Sequence, residues 1–189
     1  MANVIFDLDG TVIDSSHRHA TNSDGSIDLA HWFENSTREK VMADTLLPLA
    51  KVMRSYFEQG HRVIICTARC LRAADYEFLI HNNVASDHIL SREGYFVTPD
   101  SCEFSSSFHG FIGDGRPDGE MKVALLTELA LSLGYSDLAS MDAIMFDDNL
   151  RVIQAMLDAR VMCHDAIKIN ALLGRLDLPY DINALREAA

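Results

Sequence analysis

Short, unbroken apolar runs alternate along this chain with longer stretches in which apolar residues recur every three or four positions. The runs are Asn3–Phe6, Arg62–Cys66 ("RVIIC"), "HIL" at 88–90, "AIMF" at 143–146 and "RVMCH" at 160–164. Runs of this kind, without polar alternation, predict strands covered on both faces. Between them lie predicted helices. Residues 44–59 place Leu46, Leu49, Ala50, Met53 and Phe57 at helical spacing, with Pro48 in the early turns and Gly60 as the stop. Further helices are predicted over 71–83, from about Asp118 to Leu133 with Gly134 behind it, over 150–159, and through the tail 166–187 with a break around Pro179. Residues 92–117, rich in Gly, Ser and Phe, read as irregular.

Strands separated by helices predict an α/β fold, a Rossmann-like parallel sheet with helices on both faces. The segment after the first strand breaks the alternation. It is polar and turn-rich ("SSHRHATNSDGSID"), then aromatic ("HWFEN"). We read it as a small cap insertion at about 14–43 within a single domain spanning 1–189.

Ligands of open parallel sheets bind beyond the carboxyl ends of the strands. Those ends carry Asp7 and Asp9, then Thr67 and Arg69, then Asp147 and Asp148. Residues two apart on a strand share a face, so Asp7 and Asp9 address one site if the strand runs that far. Side-by-side carboxylates repel, and burying them is costly without a cation or a reaction to serve. Hard oxygen donors of this type suit Mg²⁺. The bland alternative makes them helix caps and turn formers. An EF-hand reading of "DLDGTVIDSSHR" fails, because Val12 and Arg18 stand where glycine and glutamate are required. No GxxxxGK[ST] loop is present.

Charge narrows the possible partners. The 189 residues carry a net charge of −12, from 16 Lys and Arg against 28 Asp and Glu. That argues against a broad nucleic-acid-binding surface, though not against recognition of a strand end or a small phosphorylated molecule. No apolar run reaches membrane-spanning length, and the N-terminus does not read as a secretory signal. Cys66, Cys70, Cys102 and Cys163 form no CxxC pair and read as reduced thiols of a cytoplasmic protein.

The motif Asp7-Leu8-Asp9-Gly10-Thr11, followed in order by Thr67, Lys122 and Asp147-Asp148, resembles the signature of the haloacid dehalogenase-like superfamily. Within it the chain is similar to the 3′-phosphatase domain of phage-type polynucleotide kinase. Thr67-Ala68-Arg69 and "GDGRPDGEMK" carry that likeness, with Arg18 at the matching offset beyond Asp7. There is no kinase domain or P-loop, the charge is acidic, and the cap differs in detail.

The resemblance implies a Mg²⁺-dependent phosphomonoesterase working through an aspartyl-phosphate. Asp7 would be the nucleophile, Asp9 the general acid and base, and Lys122 a counter-charge. Thr11, Arg18, Thr67, Ala68, Arg69 and Arg116 would meet the substrate. Asp7, Asp9, Asp147 and Asp148 would hold or position the metal. The implied substrate is a nucleotide-type phosphate ester, with the 3′-phosphate end of a polynucleotide ahead of a 5′- or 3′-mononucleotide. A noncatalytic binding module of the same fold is the rival. His17, His19 and His31 read as solvated. Trp32 and Phe33 either stack on a base or pack the cap.

Overall fold

The structure is a computed structural model. It describes residues 1–23, 27–92, 94–97 and 116–175, the strand at 94–97 by its backbone alone. Its centre is a six-stranded sheet built from β1 (Asn3–Phe6), β4 (Arg62–Cys66), β5 (His88–Ser91), β6 (Gly94–Val97), β7 (Ala143–Asp147) and β8 (Met162–Asp165), in the order β6-β5-β4-β1-β7-β8. All pairings are parallel except that of β6, which runs antiparallel to β5. The apolar runs form the central strands because both faces are covered. Val4, Ile5 and Phe6 are each fully buried.

Alternate residues feed separate cores. Val4, Phe6, Val63 and Ile65 pack with α3 (Leu49–Glu58), α4 (Ala73–His81) and α7 (Ala166–Arg175) on one face. Ile5, Ile64, Cys66 and Met145 pack with α5 (Asp118–Ser132) and α6 (Leu150–Asp158) on the other. The α5–α6 contact is tight at Gly119, where a β-carbon would stand 2.8 Å from the Ala155 β-carbon and 3.2 Å from the Arg151 carbonyl.

The insertion after β1 is closed at its base by a two-stranded ribbon, β2 (Ile13–Asp14) against β3 (Thr45–Leu46). Above the ribbon lie a 3-10 turn at Ser16–Arg18 and the short helices α1 (Leu29–Glu34) and α2 (Arg38–Val41). Asp28 and Thr37 cap these helices by accepting from the His31 and Lys40 amides.

Two predicted boundaries are corrected. The helix predicted from residue 44 begins at Leu49, because residues 45–46 are drawn into the ribbon and Pro48 stands at the N-cap. The segment predicted to be irregular contains β6. The predicted helical tail beyond 175, with its break near Pro179, lies outside the described residues. Cys66, Cys70 and Cys163 form no disulfide among the described residues; Cys102 also lies outside the described residues. No helix among the described residues is long and apolar enough to cross a membrane.

Candidate active site

The chain runs outward from β1 through β4, β5 and β6, then returns to place β7 and β8 on the other side of β1. This reversal is the topological switch at which doubly wound sheets bind ligands. Register brings the pieces together there. Phe6 pairs with Ile65 and with Phe146, and the Asp7 amide donates to the Phe146 carbonyl at 3.0 Å. Asp7 and Asp147 therefore emerge side by side.

Lys122 reaches this point from α5. Its Nζ donates to Asp7 Oδ1 and to Asp147 Oδ2, both at 2.7 Å. All three side chains are buried. The ammonium is held firmly protonated: burial works against its charge, but Asp7 and Asp147 outweigh that cost. Burial pushes the Asp7 carboxyl up to about 8, with repulsion from Asp147 and Asp9 adding to the shift and Lys122 opposing it. Burial, reinforced by Asp147, pushes Asp148 up to about 6.

Asp7, Asp147 and Asp148 each offer an oxygen within 4.8 Å of the others. Burial raises the proton affinity of Asp7 and Asp148, and the hard oxygen donors of the compact trio fit Mg²⁺. Gly10 makes room beside it. Its φ is +71°, and a β-carbon there would stand 2.7 Å from the Asp148 carboxyl carbon.

Asp9 does not join the trio, contrary to the expectation of a shared strand face. The strand ends at Phe6, and the amides of Thr11, Val12 and Ile13 all turn back to the Leu8 carbonyl. The Asp9 carboxylate instead accepts from Arg69, with Nε to Oδ2 at 2.8 Å and a second short contact from Nη2, and from Ser15 Oγ at 2.5 Å. Burial opposes its ionisation, but Arg69 holds the carboxyl below its usual range.

The arginines differ most from expectation. Arg18 is fully buried and fork-bonded to Asp44, Nε to Oδ1 at 2.9 Å and Nη2 to Oδ2 at 2.7 Å. Arg69 is buried between Asp9 and Asp75, with Nη1 2.7 Å from Asp75 Oδ1. Both guanidinium groups are bonded to protein carboxylates. Arg116 is half-buried just ahead of α5, and its carbonyl accepts from Arg92 at 3.4 Å.

Thr67 lies at the end of β4, its hydroxyl accepting from the Arg69 amide at 3.2 Å. The Ala68 carbonyl accepts from Arg92 at 3.3 Å. The Thr11 hydroxyl is buried without a hydrogen-bond partner among the described residues. Trp32 packs against the arginines, 4.3 Å from Arg18 and 5.3 Å from Arg69. His17 and His19 lie near Asp44 and Ser15, and no histidine joins a carboxylate trio among the described residues.

Sequence reasoning overlooked Ser15, Asp44 and Asp75. Only Asp75 carried a local signal: it stands in the first turn of α4 and accepts from the Arg72 amide at 2.8 Å.

Comparison with known proteins agrees with this fold. Among solved structures, a haloacid dehalogenase-like hydrolase from Streptococcus pneumoniae matches with a TM-score of 0.56 at 11% identity, covering 100% of this chain and 99% of that one. A chain of the Pnkp1/Rnl/Hen1 RNA repair complex matches with a TM-score of 0.52 at 21% identity, covering 87% of this chain but 42% of that one. The present chain thus spans less than half the length of that repair protein. These likenesses concern the fold. The 5′-deoxynucleotidase of Escherichia phage T5 is 28% identical over 179 residues, which is 90% of this chain and 69% of the relative. The family model described as bacteriophage T5 5′-deoxynucleotidase matches residues 1–179. With nearly its whole length matched, and with a haloacid dehalogenase-like fold, the chain is a phosphatase that belongs to the bacteriophage T5 5′-deoxynucleotidase family.

Proposed function

We propose that the protein is a Mg²⁺-dependent nucleotidase that removes phosphate from deoxynucleoside 5′-monophosphates through an aspartyl-phosphate on Asp7. The observation that carries the reading is the meeting of Asp7, Lys122 and Asp147 at 2.7 Å contacts, from segments far apart in sequence. Family membership moves the substrate from a polynucleotide 3′-end toward a 5′-mononucleotide. The burial of Arg18 and Arg69 supports the same move, because neither guanidinium is left to grip a strand.

Asp7 Oδ attacks phosphorus, and the ester bond to the leaving 5′-oxygen breaks. Lys122 offsets the charge of Asp7, so that an anionic nucleophile can approach an anionic ester. Asp9, entering in the protonated form that its Arg69 contact disfavours, gives the leaving oxygen a proton and regains one from the water that hydrolyses the acyl phosphate. Thr67, at the end of β4, offers its hydroxyl to a phosphoryl oxygen. Asp7, Asp147 and Asp148 would hold Mg²⁺, which supplies positive charge against the phosphoryl oxygens.

The test is phosphate release from 5′- and 3′-mononucleotides, ribo and deoxy, and from 3′-phosphorylated oligonucleotides, each with Mg²⁺ and with chelator. The 5′-deoxynucleotides should turn over best, and only with the ion. Preference for a 3′-phosphorylated oligonucleotide, eroded by salt, would return the protein to strand-end processing.

A further inference from the structure

Asp44 lies outside every motif, at the end of the cap insertion. It is 6% exposed. Its two oxygens take the fork of Arg18, and Arg69 Nη2 lies 3.6 Å from the same carboxylate. Beyond Arg69 the chain of contacts continues to Asp9 and Asp75. Two guanidinium charges thus lie buried close together under the Trp32 ring, and Asp44 is the anion that touches both.

Stability alone does not explain this arrangement. Buried ion pairs of this kind contribute little net stability over an apolar filling of the same volume. One arm of the network stops at the buried Asp75, but the other leaves the core. It ends on Asp9, whose side chain keeps 23% of its surface exposed and has both oxygens held by neighbours.

We propose that Asp44 is a positioning residue for the phosphatase reaction. It holds Arg18 and Arg69 in register, so that Arg69 aims the Asp9 carboxyl at the leaving-group oxygen. Through Arg18 and Trp32, the same contacts tie that aim to the cap. The inference rests on the assignment of Asp9 as the general acid.

The experiment compares a deoxynucleoside 5′-monophosphate with its bridging-sulfur analogue, in which a thiolate leaves and needs no proton. The quantity read is kcat/KM, which reports on the step that forms the aspartyl-phosphate. Asp9→Asn, as reference, should lose about 10²-fold or more on the oxygen ester and little on the sulfur ester. Asp44→Asn should show the same discrimination, on the order of tenfold to a hundredfold. Asp44→Glu keeps the charge but displaces the guanidinium pair by a methylene, and should discriminate in the same sense by a smaller factor.

Equal losses on both esters in the Asp44 variants, or no loss, would overturn the positioning role while leaving Asp9 as the acid. So would failure of both Asp44 variants to fold, since the network would then be structural. An Asp9→Asn variant that treats both esters alike would instead overturn the assignment of Asp9 itself.

Discussion

Replacing Lys122 by Met removes the one ammonium that touches both Asp7 and Asp147 while keeping most of the side-chain volume. Each contact is 2.7 Å long. At an effective dielectric near 20, attraction at that distance is about 6 kcal/mol per pair. Desolvation of three buried charges offsets much of it, and breaking a buried pair from one side costs about 3–5 kcal/mol. For a chain of 189 residues this corresponds to a fall in Tm of about 6–20 °C in metal-free buffer. The loss should depend on pH in a definite direction. Asp7 is raised to about 8 in the folded protein, so it binds a proton that the unfolded chain releases near 4. That contribution is fully present below about 4 and is lost as pH rises through about 8, by about 1.4 kcal/mol per unit. Without the ammonium the carboxyl holds its proton still more tightly, and a proton can partly replace the lost cation. The gap between variant and wild type should therefore be small near pH 6 and large near pH 9. Calorimetry in EDTA across this range is the assay, with circular dichroism to confirm folding. A variant that melts within about 2 °C of wild type at the alkaline end, or a gap that stays constant with pH, would refute the reasoning.

Asp7→Asn should leave the fold intact and lower turnover at least on the order of a thousandfold, about 4 kcal/mol of barrier; near-normal phosphate release from the purified variant would remove Asp7 as nucleophile. Activity should vanish in EDTA and return with Mg²⁺ but poorly with Ca²⁺, and full activity in chelator would require other chemistry. Mg²⁺ binding must displace the proton of Asp7, so below about pH 8 affinity should rise up to about tenfold per pH unit. Titration calorimetry in buffers of different ionisation enthalpy measures the released proton, and a heat independent of buffer would contradict it. Gly10→Ala should cost about 1–2 kcal/mol for its left-handed backbone and should weaken metal binding as well, because the new methyl meets the Asp148 carboxyl; unchanged metal affinity would separate the turn from the site.

The parts of the site that were legible in the sequence are those whose position depends on local pattern. Asp7, Thr67 and Asp147 follow apolar runs, and a buried parallel strand announces itself by such a run. The lysine could be placed on a helix by periodicity. Asp9 was misplaced because period-two reasoning was carried past Phe6, where Gly10 and the Leu8 carbonyl turn the chain away. The burial of Arg18 and Arg69 was missed for a different reason. Charge in a sequence does not say which guanidinium will be buried, and the anion that buries Arg18 lies 26 residues away. Asp44 sits beside a two-residue strand whose partner is still farther away in sequence, so nothing near it marks a boundary. The edge strand Gly94–Val97 carried a weak signal in Tyr95, Phe96 and Val97, obscured by the Ser- and Gly-rich sequence that follows.

The close approach of α5 and α6 at Gly119 has a consequence for how the protein can drift. Lys122 follows that glycine by one helical turn, while Asp147 and Asp148 lead directly into α6. The spacing of the two helices is therefore also the spacing of ammonium and carboxylate. Positions 119 and 155 are not part of the carboxylate trio, yet they act as a mechanical stop for the site. Enlarging either one would lift α5 away and retune the reaction from a distance, so permissible changes at the two should come in compensating pairs, and a library varied only within the active site would never sample this control.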